Sequence, residues 1–247
     1  MKSTYFTRRT IRKYTEEEID NGLLERILTA GTRSSTTGNM QVYSIIVTRD
    51  PEMKRRLAPA HFNQSMVTEA PVVLTFCADF NRFNLWCRQR EAEPGYDNFL
   101  SFMTAAIDAL IVAQTVCNAA EEEGLGLCYL GTATYSADQI IKILELPKGV
   151  VPVATVTLGW PALVPDQPDR LPLEAVVHQE RYRDFTPDLI DELYRAKEAR
   201  ADSLQFIAEN NKQTLAQVFT DVRYKKEDNE FFSSRFLEVI RSQGFMD

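Results

Sequence analysis

Four cations fall within seven positions near the start of the chain: Arg8, Arg9, Arg12 and Lys13, in the segment RRTIRKY. Arginine suits phosphate and carboxylate groups because its planar guanidinium makes paired, charge-assisted hydrogen bonds. The surrounding protein is acidic, with a formal net charge of −7 over 247 residues. That balance argues against a nucleic-acid partner, which calls for a broad basic surface. A local cluster in an acidic chain points instead to one small anionic ligand. Solvated charges ahead of a helix are the competing reading of the same residues.

Spacing excludes most other chemistries. The chain has two histidines, His61 and His178, and no serine lies in a GxSxG context. No HExxH or comparable ligand spacing occurs, so no metal site is expected. No GxGxxG opens a helix after a first strand, and GLGLCYLG (124–131) has neither that spacing nor a P-loop lysine. Cys77, Cys87, Cys117 and Cys128 show no CxxC pattern and read as reduced thiols of a cytoplasmic protein. What remains is a set of anion- and hydrogen-bonding groups without a nucleophile or general base. That pattern is expected when a bound cofactor performs the chemistry.

The elements that must position these groups follow from periodicity. Apolar residues at helical spacing predict a helix over 15–30, with Thr15 and Glu18 as a capping box and Gly31 as its stop. Strands are predicted over 42–48, 71–79, 124–131 and 151–159, with a further one in LEAVVH (173–178). Helices are predicted over 51–57, 101–123 and 136–144, the last with Ser136 and Gln139 as a capping box. Residues 81–99 read as an excursion loop, and residues 187–244 as mostly helical and charged. The helix over 101–123 is apolar around most of its girth, with Thr104, Asp108, Thr115, Asn118 and Glu122 on one stripe. The apolar stretch 101–120 is broken by Asp108, Gln114 and Asn118, which argues against a membrane span. The start MKSTYFTRRT lacks an apolar h-region, so no secretory leader is expected. Alternating strands and helices imply an α+β or α/β class around one sheet.

Five motifs in order resemble the FMN-dependent nitroreductase family. RRTIRKY is similar to its amino-terminal (R/H)R(S/T)xRx(F/Y) signature, and SSTTGNMQ (34–41) to its Ser/Gly-rich loop ending in GNxQ. GLGLCYLG resembles its GLGxxxxG strand and turn, and LGWP (158–161) its LGYP signature. DRLPLEAVVHQERY (169–182) resembles the KPRLP…VVHxxxY tail of the subgroup of NADPH-linked flavin reductases and oxygen-insensitive nitroreductases. The match spans roughly residues 3 to 185.

The resemblance implies an α+β fold, a mixed sheet sandwiched by helices, in an intertwined homodimer with a long central interface helix. It implies an FMN-binding domain over 1–185 and a helical extension over 186–247 packed on it. Non-covalent FMN would be held by Arg8, Arg9, Thr10 and Arg12, with Arg170 completing the phosphate site. Ser35, Thr36, Thr37, Asn39 and Gln41 would come from the loop, on the partner subunit. Gln64 would reach the flavin. Tyr129, Leu130 and Gly131 would lie beneath the ring, with the Gly131 N–H near N5 and no catalytic side chain. The implied activity is NAD(P)H-dependent reduction of nitroaromatics, quinones or free flavin by a ping-pong hydride transfer, with no nucleic-acid or membrane partner. Dehalogenation, flavin fragmentation or dehydrogenation on the same fold, or flavin binding without turnover, are the alternatives. Where the subgroup carries Lys-Pro-Arg, this chain has Pro168, Asp169 and Arg170, so the lysine is missing.

Overall fold

Alternate residues of the strands face opposite ways, and both faces of the sheet are apolar. In β3 (Gly126–Leu130), Leu127 and Tyr129 join one core cluster while Cys128 and Leu130 join another. A strand that is apolar on both faces must be covered on both. The computed structural model, which describes residues 4–246, shows how. It divides the chain into two compact units, Met1–Asp166 with Phe232–Asp247, and Gln167–Phe231.

The first unit runs α1 (Thr4–Thr7), α2 (Asn21–Thr32), β1 (Tyr43–Thr48), α3 (Pro51–Leu57), α4 (Met66–Glu69), β2 (Val72–Asp79) and α5 (Asn81–Arg88). It continues through α6 (Phe99–Glu122), β3, α7 (Thr132–Tyr135), α8 (Ala137–Ile143) and β4 (Val150–Gly159). The sheet order is β1-β2-β4-β3, and all three pairings are antiparallel. The class is α+β, as expected, but the sheet in the described residues is antiparallel throughout where a mixed one was expected. On one face, α2 and α6 pack over Leu74, Phe76, Val156 and Leu158. On the other, Leu57 of α3, Met66 and Val67 of α4, Ala133 of α7 and Ile140 of α8 pack against Cys128 and Leu130.

Several boundaries differ from the sequence reading, each for a local reason. The first long helix begins at Asn21 because the side chain of Asp20, accepting from the Leu23 N–H at 3.0 Å, is its cap. Thr15 instead closes a short turn, accepting from the Glu17 N–H at 3.3 Å. Gly31 lies inside α2 and serves close approach: a Cβ there would stand 2.3 Å from Val116 Cγ2 of α6. Ser136 precedes α8 but makes no side-chain cap. Residues 81–88 of the expected loop form α5, whose Phe83 meets the rings of Trp86 and Tyr96.

Helix α6 is long and apolar enough to cross a bilayer by composition alone, yet half of it is buried in this fold. Its other face is an exposed apolar stripe of Leu100, Met103, Ile107, Leu110 and Ile111, of which Leu100 is 75 % exposed.

The second unit holds α9 (Pro187–Glu198), α10 (Ala201–Glu209), α11 (Leu215–Val218) and a π-helical turn, Phe219–Arg223. The last helix, α12 (Lys226–Ser242), crosses the boundary between the units. The strand expected over 173–178 is absent. Leu173–Ala175 is a 3-10 turn, with the Val177 N–H on the Leu173 carbonyl at 2.9 Å. An isolated strand has no ladder to join, and among the described residues this unit contains none.

Candidate flavin site

The arginine segment is laid along the edge of the sheet. The Ile11 N–H donates to Leu127 O at 2.9 Å, beside β3. Glycine is required at the crossing, because a Cβ on Gly126 would stand 2.5 Å from Ile11 Cγ1. Further on, Tyr14 bridges to Pro161, and the Ala162 N–H donates to Lys13 O at 2.9 Å. The Tyr14 hydroxyl donates to Ile11 O at 2.8 Å and lies 2.7 Å from Thr157 Oγ1. The LGWP turn therefore acts as a clamp on the segment 11–15.

The four cations have different environments. Arg8 Nε donates to Glu121 at 3.0 Å, forming a partly buried ion pair. Burial pushes the Glu121 carboxyl above the usual range, and Arg8 opposes that shift. Arg9 Nη1 makes a long 3.4 Å contact to Thr7 O, while its Nε is buried without a hydrogen-bond partner. Arg12 is exposed and lies beside Cys128, whose thiol pKa is raised by burial and drawn back by the guanidinium. Lys13 pairs with Glu69 at 3.2 Å on the surface. A cavity of about 160 Å³ is lined by Thr7, Arg8, Arg9, Ile11, Glu121 and Gly126 among others. Because Arg8 and Glu121 neutralise each other, Arg9 supplies the uncompensated charge there. A buried, unpartnered guanidinium N–H beside a cavity is costly alone and fits an anionic oxygen.

At the end of β3, backbone and side chains diverge. Tyr129 packs into the core beneath α6, and burial pushes its phenol pKa up. Leu130 is buried in the opposite core. Only backbone groups of Leu130 can face a ligand on the exposed side. Gly131 is exposed, and a Cβ added there meets nothing within 4 Å. The glycine thus leaves open space. Gln64 is half-buried, its Nε2 donating to His61 O at 3.1 Å. His61 is fully buried, with Nδ1 2.8 Å from Thr132 Oγ1, which joins the Gln64 loop to the Gly131 turn.

The loop 34–41 is a separate group. Gly38, Asn39 and Gln41 all have left-handed backbone, with φ of 55, 55 and 54°. Two polar residues of α6 hold it. Asp108, 1 % exposed, accepts from the Thr37 N–H at 3.0 Å and from Thr37 Oγ1 at 3.2 Å. Ser34 Oγ donates to Thr115 Oγ1 at 2.7 Å. Asp108 and Glu121 are separated by about 20 Å along the helix axis, at 1.5 Å per residue. Ser35 and Thr36 lie between the two anchored residues, and Arg82 donates to Gln41 O. Asp108→Ala is expected to cost about 1.5–3 kcal/mol, because it strands a buried N–H and removes charge-assisted bonds. Asp108→Asn, which keeps an acceptor, should cost less. Urea unfolding and the exchange rate of the Thr37 amide check this.

The structure thus brings Arg8, Arg9, Thr10, Arg12, Gln64, Tyr129, Leu130 and Gly131 to one region. Ser35, Thr36, Thr37, Asn39 and Gln41 stand apart, in the loop that Ser34 and Thr37 anchor to α6. Arg170 belongs to the second unit, where its Nη1 donates to Asp169 O at 2.8 Å. Asp169, in the place of the missing subgroup motif, forms an ion pair with Lys197 at 2.9 Å. Glu121, Asp108, Thr115, His61 and Thr132 were not singled out as site residues. The polar stripe on α6 was a signal for Asp108 and Thr115. The His61–Thr132 contact spans 71 residues and left none.

Residues 5–160 match the model of the nitroreductase family. The chain is 35 % identical over 242 residues to an FMN reductase [NAD(P)H] of Bacillus subtilis, covering 96 % of this chain and 94 % of that protein. It is 34 % identical over 182 residues to an oxygen-insensitive NADPH nitroreductase of Salmonella typhimurium, covering 74 % of each. Its fold matches the crystal structure of a Bacteroides fragilis protein described as an oxidoreductase, with TM-score 0.99, 56 % identity and full coverage of both chains. The chain belongs to the nitroreductase family of oxidoreductases, whose cofactor is FMN.

Proposed function

We propose that this protein is a cytoplasmic NAD(P)H-dependent FMN oxidoreductase acting on nitroaromatics, quinones or free flavin. The observation that carries the reading is the buried, unpartnered Nε of Arg9 beside a cavity at the sheet edge. The chain's own residues fit FMN: a cation for the phosphate and open space over Gly131 for a planar ring. Bound FMN would supply the redox chemistry, taking hydride from a reduced nicotinamide and passing it to the acceptor. Arg9 and Arg12 would bind and orient the cofactor, with Arg8 held in place by Glu121 and Thr10 between them. The backbone at Leu130 and Gly131, and the side chain of Gln64, would position the ring; Tyr129 would support the turn from below.

A homodimer is part of this reading. The exposed stripe Leu100, Met103, Ile107, Leu110 and Ile111 is a large apolar patch for a lone subunit. The 35–41 loop is anchored about 20 Å along α6 from the arginines. Residues Ser35, Thr36, Thr37, Asn39 and Gln41 would therefore serve the flavin of the partner, and the flavin-loaded species should sediment at twice 28.2 kDa. A flavin-loaded monomer would refute this.

The decisive experiment is stopped-flow reduction by NADPH and NADH, followed by re-oxidation with an acceptor panel. If nicotinamide and acceptor share one cleft, double-reciprocal plots are parallel and the half-reactions separate. A demonstrable ternary complex would overturn the shared cleft. A Cβ added at Gly131 meets nothing within 4 Å. Gly131→Val should therefore be accommodated by the fold while slowing the reductive step roughly 10- to 100-fold by crowding the nicotinamide. An unchanged reduction rate would remove Gly131 from beneath the ring.

A further inference from the structure

His61 ends a 3-10 turn, Ala58–His61, and is 0 % exposed. Its Nδ1 lies 2.8 Å from Oγ1 of Thr132, itself 8 % exposed, and its Nε2 has no partner. Among the described residues, no other hydrogen bond joins segment 58–65 to segment 131–136. Each end of this bond adjoins a position proposed to meet the flavin ring. Gln64 Nε2 donates to the His61 carbonyl at 3.1 Å, and Thr132 directly follows Gly131.

The turn between His61 and Gln64 needs an anchor. Phe62 and Asn63 are consecutive left-handed residues, with φ of 54 and 53°. Non-glycine residues hold that conformation only where the surroundings impose it. The Phe62 N–H donates to Pro59 O at 3.1 Å and the Asn63 N–H to Ala58 O at 2.8 Å, so these bonds close the turn upon itself. They do not tie it to segment 131–136. The imidazole does so by a hydrogen bond, beside a ring contact of Phe62 with Tyr135 at 6.3 Å between centroids and at the edge of a core that includes its chain neighbours Leu57 and Ala60 and, beside Thr132, Leu130 and Ala133. Burial holds the imidazole neutral, with a pKa down to about 4, so the contact is a neutral hydrogen bond around pH 7.

We propose that His61 and Thr132 form an internal staple that sets the position of Gln64 relative to Gly131, and thereby the rate at which bound flavin is reduced. Both are positioning residues: neither touches the cofactor, and the proposal rests on the flavin reading above. The staple lies at the ring end of the site, away from the Arg9 cavity. Its loss should disturb ring geometry and reduction more than cofactor retention.

The test uses the full-length, FMN-loaded protein and four variants: Thr132→Val, His61→Leu, their combination, and His61→Asn. Asparagine places an amide near the position of Nδ1 and keeps a partner for Thr132. Thr132→Val and His61→Leu should each slow nicotinamide-driven reduction about tenfold or more, while FMN affinity changes less than about threefold. The combination should be no slower than the worse single variant, the signature of one shared contact. His61→Asn should recover most of the lost rate. Two readouts do not depend on turnover. The visible circular dichroism of bound flavin should change in the two disrupting variants and return toward wild type in His61→Asn. Amide exchange at 62–64 should accelerate in flavin-free Thr132→Val. Wild-type rate, spectrum and exchange in Thr132→Val would overturn the staple while leaving the flavin reading standing. Additive losses in the double variant, or His61→Asn as impaired as His61→Leu, would also overturn it. A wild-type protein that takes up no FMN would overturn both.

Discussion

Replacing Arg9 by alanine is expected to weaken FMN binding roughly 10- to 150-fold. The range corresponds to the loss of one charge-assisted hydrogen bond worth about 1.5–3 kcal/mol. Arg9 is chosen over its neighbours because its Nε is buried and unpartnered, whereas Arg8 is engaged with Glu121 and Lys13 with Glu69. An exposed ion pair contributes little, so Lys13→Ala should leave FMN affinity within about twofold. Arg12→Ala should also weaken binding, by removing a guanidinium beside β3. Fluorescence titration of the flavin-free protein measures all three. Equal losses at Arg9, Arg12 and Lys13 would mean that the segment acts through bulk charge and that the buried Nε has no specific partner.

The second large effect concerns acid stability. His61 has a folded-state pKa of about 4 against an ordinary 6.5, because burial disfavours the imidazolium. The unfolded chain therefore binds a proton there below about pH 6.5, and the folded chain does not until about pH 4. Stability contributed by the neutral ring is complete above pH 6.5 and is lost as the pH falls toward 4. The loss reaches about 3 kcal/mol, from 1.36 kcal/mol per pKa unit. Urea midpoints of wild type and His61→Asn, compared from pH 7.5 to 4, isolate this contribution from that of the carboxylates. The wild type should lose its advantage over the variant across that window. A constant difference between the two would show that His61 does not titrate in an abnormal range.

These two residues also mark the limits of what the sequence determined. The arginine cluster was legible because charge density and residue type are local properties: three guanidinium groups in five positions of an acidic chain point to an anion before any fold is known. The strands at 43–48, 72–79 and 150–159 were legible for the same reason, since a run of apolar, β-branched residues can be buried in few other ways. The pattern of five motifs in order identified the family, and with it the cofactor.

Which guanidinium is left without a partner was decided only by tertiary structure. Glu121 stands 113 residues from Arg8, and nothing in either neighbourhood announces that the two will pair. Thr15 and Asp20 are both competent caps by residue type, and only the folded chain shows that Asp20 caps α2 while Thr15 closes a turn ahead of it. LEAVVH has the composition of a strand, but a strand exists only where another offers its edge, and its unit has none among the described residues. The polar stripe of α6 was visible as an interruption. Its purpose, holding the 34–41 loop through Asp108 and Thr115, required the loop to be folded against it. In the sequence His61 is one of two histidines, with no spacing that marks it as a site residue. Burial alone turns it into a neutral anchor, and burial is a property of the packed chain: the free energy of an imidazole depends on what surrounds it in space, which neighbours in sequence do not specify.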